Sequence, residues 1–160
     1  MSETHIHLLI THLPIFGSIL GGFVLIHGIW NKSNATLIAA YNVLIVSAIG
    51  AGIAYATGEG AEETVEHIKG VSKSVIEEHS ESALISLIAL ILVGSISLIG
   101  LFVTLKQSSL MRPVSIAVLF ASLIGFGLVA RTGYLGGQIR HTEISTNAIV
   151  PNDKGAEDGD

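Results

Sequence analysis

The chain has 160 residues, 49% of them hydrophobic and 13% charged, with a net charge of −5 and a mean hydropathy of +0.66. That composition excludes an ordinary soluble domain and points to an integral membrane protein. Cysteine is absent, which removes disulfides, thiolate-bound metals, iron–sulfur clusters and covalently attached c-type haem together; any metal must be held by His, carboxylate, Tyr or backbone oxygen.

Thr4 to Trp30 is the first of four stretches that lack Asp, Glu, Lys and Arg, and about 20 such residues cross a hydrocarbon core of roughly 30 Å as a helix. With no basic segment ahead of it and no small-residue cleavage pattern, it is expected to be a retained helix rather than a secretory signal. Trp30 suits an interfacial anchor, and Gly17-xxx-Gly21, with Gly22, predicts a close-packing surface. A turn from Asn31 to Asn34 leads to the second stretch, Ala35 to Gly58. None of the stretches alternates with period two, so helices are expected and not the strands of a barrel.

The segment that follows has a different pattern. Ala61, Val65, Ile68 and Val71 recur every three to four residues between Glu62, Glu63, Glu66 and Lys69, which predicts a short amphipathic helix on the membrane surface. Glu63 and His67 stand one helical turn apart, so the carboxylate could orient the imidazole; a solvated acidic face with a partnered histidine is the other reading. Ser74 followed by Glu77 is a capping-box pattern, and it starts helix three ahead of the third apolar stretch, Ser82 to Leu105.

After the turn Lys106 to Arg112, Pro113 suits the first position of helix four, whose apolar stretch runs to Ala130 and includes Gly125 and Gly127 as further close-packing positions. Counting along the helices brings Arg131 to Tyr134 to the membrane level of His12, with His79 about one turn above the hydrocarbon edge. The expected fold is therefore all-α, an integral membrane four-helix bundle over residues 1–144 with a short interfacial helix between helices two and three. Residues 145–160 form a polar, acidic tail that is expected to be disordered.

Charge is sharply polarised. Six of the seven histidines and all thirteen carboxylates lie outside one end of the apolar stretches, and only His27 lies near the other. The turns at that other end carry Lys32, Lys106 and Arg112 and no acid, so the excess of cations places them in the cytoplasm and both termini in the periplasm of a bacterial inner membrane. Each helical hairpin begins with a histidine on the acidic side, His12 and His79, and ends in a glycine-rich turn there, a pattern that either a parallel internal repeat or chance would produce.

His5 and His12, seven apart, share a helix face, whereas His7 points elsewhere. Neutral imidazoles from different helices at one level are the ligand set of a b-type haem or a divalent metal. Arg131 and Arg140 could pair with haem propionates or another anion through their bidentate forks. The plainer reading, that these histidines and Arg131 only reach headgroups or cap helix ends, stays open beside it; His27 is expected to be structural.

Thr11-His12-Leu13-Pro14-Ile15, Glu78-His79-Ser80-Glu81-Ser82-Ala83 and Tyr134-Leu135-Gly136-Gly137-Gln138-Ile139-Arg140-His141 resemble a family of small uncharacterised bacterial membrane proteins. That family has a His-Phe-Pro near the N-terminus, four predicted helices and a closing Gly-Gly followed by His. The resemblance spans most of residues 5–141. It implies the four-helix fold and, as for some members, a suspected haem or redox role, with His12, His79, Gly136, Gly137 and His141 as the positions carried over. Leu13 stands where Phe is common, and the acidic stretch from Gly58 to His67 has no counterpart in the pattern.

Two functional classes follow. The first is a membrane protein with a single layer of b-type haem near the periplasmic face, transferring electrons to quinol or a periplasmic partner. His12 and His79 are its preferred axial pair, His141 or His67 are substitutes, and Arg131 and Arg140 flank it. The second is a non-haem site for Zn or a similar divalent ion, built from His12, His79, His67, His141 and Glu63. A structural subunit of a larger complex, or a homo-oligomer, is the third possibility. Catalysis by a soluble-type hydrolase has no support, since no phosphate loop, nucleophile elbow or HExxH pair is present, and nucleic acid is not an expected partner.

Overall fold

A computed structural model describes residues 2–66 and 71–140. Its elements are α1 (Glu3–Ile10), α2 (His12–Trp30), α3 (Asn34–Ala56), α4 (Gly58–Glu66), α5 (Lys73–Leu105) and α6 (Met111–Arg140). Among the described residues, four helical stretches are long and apolar enough to cross a membrane: Glu3–Trp30, Asn34–Ala56, Lys73–Leu105 and Met111–Ile139. The chain is thus an all-α, multi-pass membrane protein built as a helical bundle. Large apolar side chains such as Phe16, Phe23, Ile88, Phe102 and Ile124 point outward, where acyl chains cover them.

Two elements differ in detail from the sequence expectation. The first span is not one helix: it is interrupted at Thr11, between α1 and α2. Pro14 accounts for the break, because it has no N–H to offer the Ile10 carbonyl and its ring crowds that oxygen. Helix α5 begins at Lys73 with Ser72 as its N-cap, two residues before the expected Ser74, and the Ser72 and Ser74 hydroxyls lie 2.8 Å apart. A short helix, α4, begins at Gly58 where the amphipathic helix is expected; the rest of that expectation, over His67 to Gly70, lies outside the described residues, as does the tail from His141 onward.

The helices pack as two antiparallel hairpins, α2–α3 and α5–α6, closed on each other by α3 against α5 and α2 against α6. Small residues allow the close approach of α3. A Cβ at Gly17 would stand 2.8 Å from Ser47 Cβ, and one at Gly21 would stand 2.6 Å from Leu44 Cδ2, so this glycine pair is used inside the chain. On the other side of α3, a Cβ at Gly94 would meet Ala48 at 2.7 Å and one at Gly100 would meet the Tyr41 ring at 2.6 Å. Gly125 packs on Leu90, whereas Gly127 faces open space.

The two hairpins share one register of buried positions. Pro14, Ser18, Gly21, Gly22, Leu25 and Gly28, all buried in α2, fall at one constant offset on Ser86, Leu90, Val93, Gly94, Ser97 and Gly100, all buried in α5. Likewise Leu37, Ala40, Leu44 and Ala51 of α3 fall on the buried Ser115, Val118, Ser122 and Val129 of α6.

The turns repeat too. Lys32 and Gln107 both adopt φ 50°, and each helix end closes with the bonds of a Schellman cap: Ser33 N to Gly28 O at 3.0 Å, and Ser108 N to Val103 O at 2.9 Å. The two hairpins thus share a register repeat, and it sets His79 opposite His7, whereas the sequence pattern paired His79 with His12.

Candidate functional site

The acidic end of the bundle carries the titratable side chains. His79 lies half-buried near the start of α5, where its Nδ1–H donates to the Thr132 carbonyl of α6 at 3.0 Å. A carbonyl oxygen only accepts, so the neutral ring keeps its proton on Nδ1 and a lone pair on Nε2. The ring rests on Gly136: a Cβ there would stand 3.0 Å from Cε1.

His7 repeats this arrangement in the first hairpin. Its Nδ1–H donates to the Ala54 carbonyl of α3 at 2.8 Å, and the glycine one turn further on, Gly58, would place a Cβ 3.6 Å from His7 Cε1. His7 on Ala54 and Gly58 thus matches His79 on Thr132 and Gly136, ligand type, bond and glycine spacing alike.

Beneath His79, Thr132 gathers a buried hydroxyl network. Its Oγ1 donates to the Leu128 carbonyl at 3.2 Å and stands 2.7 Å from Ser82 Oγ and 2.8 Å from Ser86 Oγ. That tie holds α5 to α6 and fixes the backbone that positions His79. At the rim, Arg131 Nη2 donates to Glu78 Oε1 at 2.8 Å and Nη1 to Ser82 Oγ at 3.4 Å.

The other sequence candidates are placed as follows. His12 is exposed; its Nδ1–H donates to Leu8 O at 3.1 Å, and its ring stacks on Phe16 with centroids 6.4 Å apart. Its counterpart by helix register is Leu84, not His79. Glu63 is exposed on α4. His67, His141 and the side chains of Glu66 and Arg140 lie outside the described residues. At the opposite end, both ring nitrogens of His27 lie near Asn31 Nδ2, at 3.2 and 2.9 Å, beside a shallow groove shared with Phe23, Ile26 and Trp30.

Among the described residues, no three His or carboxylate side chains come together as a metal-binding group. His79 and Arg131 are brought to one interface, α5 on α6, while His12 contacts its own helix. Sequence reasoning passed over His7. The signal that identifies it is the register of the repeat, in which His7 and His79 share the offset of the buried residues of α2 and α5.

Comparison with known protein families, with curated proteins and with solved structures finds no significant match to this chain.

Proposed function

We propose that the chain is an electron-transfer protein of the bacterial inner membrane, holding one layer of b-type haem at the acidic end of the bundle. In this reading both termini face the periplasm, α4 lies on the membrane surface, and quinol or a periplasmic protein exchanges electrons with the haem. The observation that carries it is His79: a neutral imidazole at a helix–helix interface, its tautomer set by a backbone carbonyl and a lone pair left on Nε2. A second hydrogen bond of this kind is how ligating histidines are oriented. The haem would supply a one-electron couple; the chain would supply ligand orientation, with Arg131 beside His79 at the rim.

The haem reading is favoured over a bare divalent ion because a porphyrin brings four nitrogens of its own and asks the protein for one or two imidazoles. A Zn site needs three or four protein ligands. Absorption spectra of the detergent-purified protein, oxidised and dithionite-reduced, test the proposal together with elemental analysis. A Soret band with sharp reduced α and β bands, lost in His79→Ala, is the expected result. Stoichiometric zinc without a Soret band would replace haem with the divalent-ion site, and absence of both would favour an accessory subunit of a larger complex.

A further inference from the structure

We propose that His7, the counterpart of His79 in the register repeat, is the second imidazole that would hold this haem, so that the cofactor would be shared between the two hairpins. The inference rests on the haem reading above but identifies a residue that the reading does not require. It also moves the site away from His12.

Two hairpins that share their buried register and their turn geometry carry one histidine at the same register position. Each histidine donates Nδ1–H to a carbonyl of the second helix of its own hairpin. Each ring also lies against the glycine one turn past that carbonyl. The result is two imidazoles with the same tautomer and an Nε2 lone pair each, supplied by separate hairpins at one end of the bundle. Two imidazoles of the same tautomer from separate hairpins are the residues that would hold a haem, which would supply the redox couple.

A purely structural role explains only half of this. Ala54 lies in the last turn of α3, where carbonyls lack helix partners, so His7 could serve as a helix cap. Thr132 lies within the continuous helix α6, whose own amides already satisfy such a carbonyl. His79 is therefore not needed as a cap, and the shared geometry calls for a shared purpose. His12 offers a lone pair on Nε2 as well, but it stands on the outer surface beside Phe16 and has no equivalent in the second hairpin.

The test uses the full-length protein in detergent, as isolated and after addition of haemin, followed by absorption and electron paramagnetic resonance. Wild type is expected to show a low-spin, six-coordinate ferric spectrum at one haem per chain. His7→Gln keeps a side-chain amide donor for the Ala54 carbonyl while removing the imidazole. That variant, and His79→Ala, are each expected to turn high-spin or lose haem. Added imidazole is expected to restore the low-spin form where haem is retained. His12→Ala is expected to match wild type.

Retention of the low-spin spectrum and full haem content in His7→Gln would overturn the pairing and leave the haem reading intact. Loss of the low-spin form in His12→Ala alone would do the same and return the ligand to His12. A wild-type protein that binds no haem would overturn both. Helicity by circular dichroism, unchanged in each variant, excludes a folding defect as the cause of spectral loss; should His7→Gln fail to fold, a low-spin spectrum in the milder His7→Asn would overturn the pairing equally.

Discussion

The imidazole of His79 occupies the space that a side chain at Gly136 would need, with the site of a Cβ only 3.0 Å from Cε1. The ring cannot swing aside without losing its hydrogen bond to the Thr132 carbonyl. Gly136→Ala is therefore expected to destabilise the protein by about 1–3 kcal/mol, the usual cost of overpacking a fixed neighbour. Gly137, its neighbour in the same motif, has nothing within 4 Å of a Cβ. Gly137→Ala is expected to be neutral or to stabilise by up to about 1 kcal/mol through helix propensity. Thermal unfolding in detergent compares the two; equal effects would mean that the glycines serve backbone flexibility and not the ring.

The buried hydroxyls divide into bonded and unbonded sets, and the two should respond oppositely to removal. Thr132 Oγ1 serves Ser82 and Ser86 at once, so Thr132→Val leaves the buried Ser86 hydroxyl without a partner and Ser82 with only its 3.4 Å contact to Arg131. A loss of about 1–2 kcal/mol is expected, at the upper end for hydrogen bonds between membrane helices. Tyr41 Oη is buried without a hydrogen bond of normal geometry among the described residues, its polar neighbours being the Thr104 and Ser115 hydroxyls, so Tyr41→Phe removes a weakly held group and keeps the ring that packs on Gly100. It is expected to leave stability unchanged or raised. A large loss in Tyr41→Phe, measured by the same unfolding assay, would show that the hydroxyl is engaged in the membrane.

Lys32 and Gln107 hold φ 50° in their turns, a conformation that costs a residue with a Cβ about 1–2 kcal/mol. Glycine removes that strain but gains about 0.5–1 kcal/mol of chain entropy in the unfolded state. Gln107→Gly is thus expected to stabilise the α5–α6 hairpin by about 0.5–1 kcal/mol. A decrease in unfolding temperature would indicate that the glutamine side chain contributes more than its backbone costs.

The four spans are legible in the sequence because bilayer thickness sets a length that any charge-free run either meets or misses. The inward face of each helix is not legible in the same way. In water a buried face is the apolar one; in lipid the outer face is equally apolar, and the pattern that separates them disappears. Here the inward face is marked by small and hydroxylated residues instead: Ser82, Ser86, Ser97, Gly100 and Thr104 of α5 are buried while Leu84, Ile88, Leu92 and Ile99 are exposed. The heptad separation rightly sets His5 and His12 on one face and His7 on another, and both His5 and His12 are exposed. Without a marker for the inward side, the outward His12 was the more conspicuous candidate, because it heads the uninterrupted apolar run and sits in the Pro14 motif. Arg131 and its partner Glu78 show the complementary limit: the pair joins α5 to α6 across a long sequence separation, and only the packing of the hairpin reveals it.

Pro14 links the broken first span to the site at the end of the bundle. Thr11, where α1 and α2 meet, keeps φ −59° and ψ −25°, and on its N-terminal side α1 packs on α4 and His7 reaches the Ala54 carbonyl. Pro14→Ala restores an amide for the Ile10 carbonyl and lets α1 and α2 merge into one helix, which draws α1 away from α4. The native chain has no cysteine, so a cross-link reports this directly. The hydroxyls of Thr4 and Thr64 lie 2.9 Å apart, within reach of a disulfide when both are replaced by cysteine. Thr4→Cys with Thr64→Cys is expected to cross-link efficiently under mild oxidation, and the yield is expected to fall several-fold when Pro14→Ala is added. Equal yields would show that packing of α1 against α4, and not the proline, imposes the break.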